Sequence, residues 1–358
     1  MLYPYLQMDG MWDVTDRVSA RYERTMSGRV DALKAHAYLT VVDHWMTDEL
    51  RTTAAGRPRA YSMGTDASTR TAGGRVEVTT GALVGGVELV ERRWDTLTWL
   101  AARQYAAQAS IPDVRIRTFG AFADWRRALG ARVTLEAGGR LDGVRSEADG
   151  GLANLTLYQA YHRTQATSRD DVLPAAKVRL AWADRGWQLT AGVGHTARVA
   201  EANERYFALQ RMGSDWVGQP ELAPARHTGL EVTASWSGGG ASLGAQVHAG
   251  RVDGYIAVYD QARVQVLPGV MNTVARSYAN VDATLTGVEA WVSLPAGPRV
   301  FVSGDVSYAR GSQAGDSARG ITEGPLAEMP ALRARARLRF DDGRWFAVVE
   351  EAVTGDQR

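Results

Sequence analysis

The sequence predicts an all-β protein, specifically an antiparallel transmembrane β-barrel. Three observations predict it: period-two alternation of polarity, alternating short and long connections, and tryptophans near the short connections. In "ARVTLEAGGRLD", residues 131–142, the odd positions are mainly apolar, whereas the even positions carry most of the charge. "GLEVTASW" and "ALRARARLRF" repeat this pattern. Such alternation indicates a sheet with one apolar face and one strongly polar face.

The connections between the alternating segments differ in length in a regular way. Short turns such as "ADRG", "SGGG", "PAGP" and "DDGR" join the strands of each hairpin, and long polar stretches separate the hairpins. Short periplasmic turns and long extracellular loops are typical of outer-membrane barrels. We expect residues 155–163 to form a loop, and 261–280 to be a loop or a further strand. About fourteen strands are predicted, over 12–25, 29–46, 73–84, 87–98, 114–127, 131–144, 174–183, 187–199, 228–236, 241–258, 280–294, 300–311, 331–340 and 345–353.

Several tryptophans lie beside the short turns: Trp182 and Trp187 flank "ADRG", Trp236 precedes "SGGG", and Trp345 follows "DDGR". Tryptophans at one rim of several hairpins indicate a girdle at a membrane interface. The alternative is core packing in a soluble β protein. Rows of arginine on the opposite face, as in residues 331–340, favour the barrel, because a sandwich exterior rarely shows them unbroken.

Composition limits the possible functions. The chain has 358 residues, a formal net charge of +1 and no cysteine. Disulfides, thiolate metal sites and cysteine nucleophiles are therefore excluded within it, and nothing indicates a nucleic-acid partner. No apolar run is long enough for a transmembrane helix, and the first residues lack the pattern of a signal peptide. No serine with a suitably placed histidine is evident, so we do not predict an enzyme.

One long segment resembles a known family. "RVAEANERYFALQRMGSDWVGQPELAPARHTGLEV", residues 198–232, is similar to a stretch of TonB-dependent outer-membrane receptors. That family typically has an E-R-Y/F run followed by Gly-Asn-Pro-x-Leu-x-Pro-Glu. Here the second part is "GQPELAPA", residues 218–225, in which Gln219 and Ala225 depart from the pattern. The resemblance implies an outer-membrane receptor of Gram-negative bacteria.

Within that family, the chain is most similar to the copper-receptor subgroup. "YLTVVDHWMTDELR", "ASTRTAGGRVE" and "GPLAEMPALRARARLRFDDGRW" carry this likeness. It implies a barrel of about 22 strands filled by an N-terminal plug. It also implies copper as the transported ligand, outer-membrane lipid as surroundings, and import driven by the TonB–ExbB–ExbD complex through the plug. No cofactor is expected.

The chain departs from this family in its extent. No plug, TonB box or final strand with a terminal aromatic is recognised. We therefore expect residues 1–358 to form a partial barrel domain of about 14 of the 22 strands, without the plug and the C-terminal closing strands.

The candidate metal ligands are His44 and Met46 in "VVDHWMTDEL". Alternation along strand 29–46 predicts that both side chains face the lumen, together with Lys34, His36 and Tyr38. Residues two apart on a strand lie about 6.5–7 Å apart on the same face. Imidazole with thioether is a soft ligand set that suits Cu(I). Such a pair on a polar wall is often incidental. The resemblance implies more, because the copper subgroup has a His-x-Met in its barrel wall, paired with a Cys/Met half-site in the plug.

Other residues are secondary candidates for substrate binding. Met63 and Met212 lie in expected extracellular loops, where they would contact copper transiently or simply pack. His36 would contact the plug, and His195 would lie at the membrane interface. The arginine rows would line the lumen and contact an acidic plug surface, or bind an anionic substrate.

Two alternative functions remain open beside copper import. One is a TonB-dependent receptor for a siderophore or another organometal compound, which aromatic-rich loops and an arginine cluster at the mouth would favour. The other is a non-transporting structural barrel, which a plug and TonB box encoded upstream would exclude.

Overall fold

A computed structural model of the chain describes residues 8–49, 63–100, 107–211, 214–264 and 274–356. It is an antiparallel sheet of seventeen strands, which confirms the all-β prediction. All fourteen predicted strands are present. Fourteen are long: β1 (Asp9–Thr25), β2 (Ala32–Thr47), β3 (Met63–Thr80), β4 (Leu83–Leu100), β5 (Gln108–Ala128), β6 (Val133–Glu147), β7 (Ser168–Asp184), β8 (Trp187–Arg198), β11 (Ala225–Gly238), β12 (Ala241–Ala262), β13 (Val274–Pro295), β14 (Val300–Gln313), β16 (Arg333–Asp341) and β17 (Phe346–Thr354). Three are short: β9 (Ala208–Arg211), β10 (Ser214–Val217) and β15 (Gly324–Pro325).

The long strands pair in chain order. Each is antiparallel to the next, and β11 follows β8 because β9 and β10 belong to the loop between them. Within the described residues, β1 pairs only with β2 and β17 only with β16, so the sheet is not closed. The ambiguous stretch 261–280 is divided: β12 ends at 262, β13 begins at 274, and 265–273 lie outside the described residues.

All the short turns lie at one end of the sheet. The turn between β7 and β8 is Arg185-Gly186, with φ of 49° and 86°, and the turn between β11 and β12 is Gly239-Gly240, with φ of 59° and 81°. Positive φ at both central residues suits the right-handed twist of paired strands, so these turns connect neighbours tightly. The long connections, including 148–167, 199–224 and 314–332, lie at the opposite end, called the mouth below.

The outer face is apolar over a height that matches a bilayer. On β7 the exposed apolar side chains run from Val172 to Trp182. Ten residue steps of about 3.3 Å, tilted by about 45°, give a band of about 23 Å, close to the ~25 Å of outer-membrane barrels. Trp187 pairs directly with Trp236 beside the short turns, and Trp345 is exposed there as well. The predicted girdle is therefore formed by residues at a single rim.

The inner face carries cross-strand ion pairs. Arg335 binds Asp305 at 2.7 Å and Arg337 binds Glu350 at 2.5 Å, both on neighbouring strands. Arg339 stacks on the ring of Phe301, and its guanidinium lies 3.7 Å from Asp341. The arginine row that was expected to meet a plug thus also has partners within the wall.

Two helices fold into the mouth: α1 (Leu155–His162) and α2 (Ala202–Tyr206). The prediction of a loop over 155–163 was wrong for α1. Asn154 caps this helix by accepting from the amide of Leu157, and Arg163 ends it with a φ of 57°. No helix among the described residues is long and apolar enough to cross a membrane.

The buried apolar residues are concentrated at the mouth, where the mouth ends of the strands meet the loops. Tyr206 of α2 packs on Ile111, Val114 and Val144 at the ends of β5 and β6. Leu157 and Tyr158 of α1 pack on β9 and β10. Because the strands expose one face to lipid and one to the lumen, the buried clusters form where the loops and helices pack against the mouth ends of the strands. The packed loops and helices form a folded cap on the wall.

Candidate functional site

His44 and Met46 lie near the mouth end of β2. His44 is flanked by Asp13 on β1 and Ala67 on β3. Met46 is flanked by Gly10 on β1 and Thr65 on β3. Being two apart on a regular strand, they share one face. It is also the face of Lys34, whose ammonium lies 3.1 Å from Glu23 on β1.

The ring of His44 has a defined neighbour on each side. Its Nδ1 lies 3.1 Å from Oδ2 of Asp13. A side-chain carbon added at Gly10 would lie 3.4 Å from its Cε1, so the ring packs against the backbone of β1. An ionised carboxylate can only accept a hydrogen bond, so Nδ1 donates, and in the neutral ring Nε2 then carries the free lone pair. Nε2 is therefore the nitrogen available to a metal ion.

Met63 lies closer to this pair than the sequence indicated. It is not in a loop but is the first residue of β3, where it is buried. Its amide donates to Oδ1 of Asp48 at 3.0 Å, which holds the strand end. It is two residues from Thr65, the partner of Met46, so it shares that face at a diagonal distance of about 7–8 Å.

The other secondary candidates do not join the pair. His36 lies eight positions away on β2 and stacks on Tyr38, with ring centroids 5.5 Å apart. Its Nε2 is buried without a hydrogen-bond partner among the described residues. Met212 lies outside the described residues. His195 is half-buried on β8, and its Nδ1 lies 2.9 Å from the hydroxyl of Thr228.

One close histidine–serine pair was not foreseen from the sequence. Nε2 of His162 lies 2.9 Å from Oγ of Ser277, 115 positions away in the chain, so no local motif could indicate it. Ser277 is fully buried and donates its proton to the carbonyl of Val217 at 2.7 Å. Burial, and next the nearby Arg319, lower the pKa of His162 to about 4. The hydroxyl points away from the histidine, so this pair bonds the cap together and is not arranged as a base and nucleophile.

A Gly-x-Ser-x-Gly sequence at 240–244 also lacks the geometry of a nucleophile elbow. It spans the turn and the first residues of β12, and Ser242 pairs with Ser237 and Ser293 on the adjacent strands. A nucleophile elbow requires a sharp turn between a strand and a helix.

The candidate site can bind a soft cation only in part. Imidazole nitrogen and thioether sulfur suit Cu(I) and bind hard cations poorly. Within the described ranges, no group of three or more histidine, aspartate or glutamate side chains is arranged to hold a metal ion. The wall therefore supplies a soft pair, with Met63 nearby, and not a closed coordination sphere.

Solved structures resemble this chain in fold. "Copper transporter OprC" matches 97% of this chain and 53% of its own length, with a TM-score of 0.76 and 21% identity. The hemophore receptor HasR of Serratia marcescens, in complex with HasA and heme, matches 94% of this chain and 58% of its own length, with a TM-score of 0.66 and 16% identity. The FrpB iron transporter from Neisseria meningitidis matches 91% of this chain and 48% of its own length, with a TM-score of 0.59 and 13% identity. The chain thus spans about half the length of these structures.

Likeness to solved structures shows only the fold, whereas comparison with family models shows the family of the chain. No curated protein matches the chain. The model "TonB dependent receptor-like, beta-barrel" matches residues 3–357, almost the whole sequence. Together with the sheet, the apolar band and the mouth cap, this match shows that the chain belongs to the TonB-dependent receptor β-barrel family.

Proposed function

We propose that this chain is the barrel part of an outer-membrane receptor that imports copper, with TonB and its ExbB–ExbD motor as partners. The family consists of TonB-dependent transporters, which supports transport over catalysis. The plug through which TonB acts would belong to a longer polypeptide, since the matched structures are about twice as long as the matched segment.

The observation that carries the copper proposal is the His44–Met46 pair. Both residues share the inner face at the mouth end of β2, where cargo would enter. Asp13 bonds to Nδ1 of His44, which leaves Nε2 for a metal ion. The likeness to a copper transporter supports the same cargo. Ligand capture would then combine this soft pair with further ligands from the plug.

The test is Ag(I) binding, with Ag(I) as an oxidation-stable substitute for Cu(I), by the natural polypeptide that contains residues 1–358. Titration calorimetry would compare it with the variant His44→Ala/Met46→Ala. We expect tight binding in the native protein and a loss of at least about 100-fold in the variant, because both soft ligands are removed. The matched control is His195→Ala/Met26→Ala, which removes the same residue types from an outward position and a turn at the opposite end.

Equal binding by the native protein and the double variant would remove the pair from the site. Absence of Ag(I) binding in both would contradict copper import and favour a siderophore or organometal cargo. Uptake of Cu in cells, with and without TonB, would then test whether binding is coupled to transport.

A further inference from the structure

We infer that Asp13 is a positioning residue that holds His44 with Nε2 directed at the incoming metal ion. This inference rests on the proposed function, since it concerns the same copper site. Asp13 lies on the neighbouring strand β1. Its carboxylate would not touch the metal ion and would act through the imidazole of His44.

The position of Asp13 follows from the hairpin register. β1 and β2 pair without interruption from Thr25 opposite Ala32 up to Asp13 opposite His44. Only beyond this point does a bulge at Met11 shift the pairing, so that Gly10 faces Met46. Bulges of this kind re-aim side chains next to functional sites. The regular register thus sets a carboxylate of β1 beside the imidazole, and the bulge leaves Met46 without a side chain opposite it on β1.

The carboxylate is oriented for this contact. Oδ2 lies 3.1 Å from Nδ1 of His44, and the other oxygen, Oδ1, lies 3.5 Å from the hydroxyl of Thr15. Metal-binding histidines usually donate their second N–H to such an acceptor, which selects the tautomer and fixes the ring.

The pair's exposure argues for orientation and against a role in stability. The side chain of His44 is 28% exposed and that of Asp13 is 59% exposed. Ion pairs at such exposure contribute only about 0–1 kcal/mol to folding. The same exposure leaves the imidazole open to the lumen, so a metal ion can reach Nε2.

The first measurement is the tautomer of His44 in the metal-free native polypeptide. Nitrogen-15 chemical shifts of the imidazole, assigned through the loss of one signal in His44→Gln, distinguish a proton on Nδ1 from one on Nε2. We expect the proton on Nδ1. A neutral ring with its proton on Nε2 would overturn the inference without any change to Asp13.

The second measurement uses Asp13→Asn, which keeps the shape of the side chain but can present an N–H to the ring. Such a change traps a histidine in the wrong tautomer in the serine proteases, where the carboxylate has the same orienting role. We expect the proton of His44 to move to Nε2 and the Ag(I) affinity to fall about 10–100-fold. The control is Asp16→Asn, because Asp16 lies on the same strand opposite Val41, away from His44.

Three outcomes separate this inference from the proposed function. Weaker Ag(I) binding with a changed tautomer in Asp13→Asn, but not in Asp16→Asn, supports the inference. Unchanged affinity and tautomer in Asp13→Asn, with binding still lost in His44→Ala/Met46→Ala, overturns it and leaves the copper site standing. Native protein that does not bind Ag(I) contradicts the proposed function, and the inference falls with it.

Discussion

Arg205 and Asp171 form a buried ion pair at the mouth, with Nη2 of Arg205 2.6 Å from Oδ2 of Asp171 and neither side chain more than 4% exposed. Arg205 also donates to Oγ of Ser146 at 3.0 Å and to the carbonyl of Leu222 at 2.8 Å. It therefore joins α2 to the ends of β6 and β7 and to the segment before β11. The E-R-Y run and the Gly-x-Pro-x-Leu stretch of the family motif meet at this one guanidinium.

Loss of Arg205 alone is expected to destabilise the cap strongly. Arg205→Met leaves the carboxylate of Asp171 buried with its main partner gone, which costs about 3–5 kcal/mol. Arg205→Met/Asp171→Leu removes both charges and is expected to recover part of that cost. Urea unfolding in detergent micelles measures the difference. A double variant no more stable than the single one would contradict this account.

Arg169 offers a matched comparison for that experiment. It contacts the other oxygen of Asp171 at 3.0 Å, but its side chain is 31% exposed. Because the guanidinium of Arg169 is partly solvated and Arg205 still pairs with Asp171 when Arg169 is lost, Arg169→Met should cost clearly less than Arg205→Met.

Gly218 is expected to tolerate no side chain. A methyl group there would lie 2.6 Å from the backbone carbonyl atoms of Arg205, and the amide of Gly218 donates to the carbonyl of Phe207 at 2.7 Å. Gly218→Ala should therefore destabilise the cap by about 1–3 kcal/mol through overpacking. Gly324→Ala, where nothing lies within 4 Å, is the control in the same urea titration. Equal midpoints for the two variants would show that the contact can relax.

Acid is expected to loosen the cap through His162. Burial and Arg319 lower its pKa to about 4, below the ~6.5 of a free histidine. Between these two pH values the unfolded segment binds a proton that the folded one does not, so stability falls as pH falls from about 6.5 to 4. Hydrogen-exchange protection factors of residues 155–162, recorded between these pH values, measure this loss of local stability. His162→Gln keeps a donor but does not titrate, and should flatten this dependence; an unchanged slope would assign it to other groups.

The outer face is expected to reject charge in a position-specific way. Leu230→Arg places a guanidinium in the apolar band, which costs about 2–4 kcal/mol near the bilayer midplane. Glu231→Arg, the next residue, faces the lumen and should cost much less. Refolding into lipid vesicles, followed by heat-modifiable electrophoretic mobility, reports insertion of each variant. Equal insertion would contradict the assignment of faces.

Strand positions could be predicted from the sequence because alternation is a local signal. β7 and β8 are recognisable from Trp182, "ADRG" and Trp187, and each residue's face follows from its parity along the strand. The same parity places His44 and Met46 together. Strand ends were harder, since β3 begins at Met63, ten positions before its predicted start, where the alternation of polarity is weak.

The cap could not be predicted in the same way. α1 is short, and the contacts that hold it join residues far apart, such as Tyr158 with the carbonyl of Tyr206 and His162 with Ser277. Neither pairing leaves a periodic signal, so a loop was expected there. The family resemblance identified the motif around Arg205, but only the structure shows that this guanidinium joins Asp171, Ser146 and the carbonyl of Leu222.

The sequence by itself determined the sheet, its two faces and the His44–Met46 pair, because side chains alternate with every residue of a strand whatever surrounds it. Only the tertiary structure decided which residues stand beside that pair. The register of β1 against β2 sets Asp13 against Nδ1 of His44 and Gly10 against Met46, and β3 brings Met63 to the same face. Which residues face each other across two strands depends on the turn that joins the strands and on bulges within them. The period-two pattern of polarity does not specify this register.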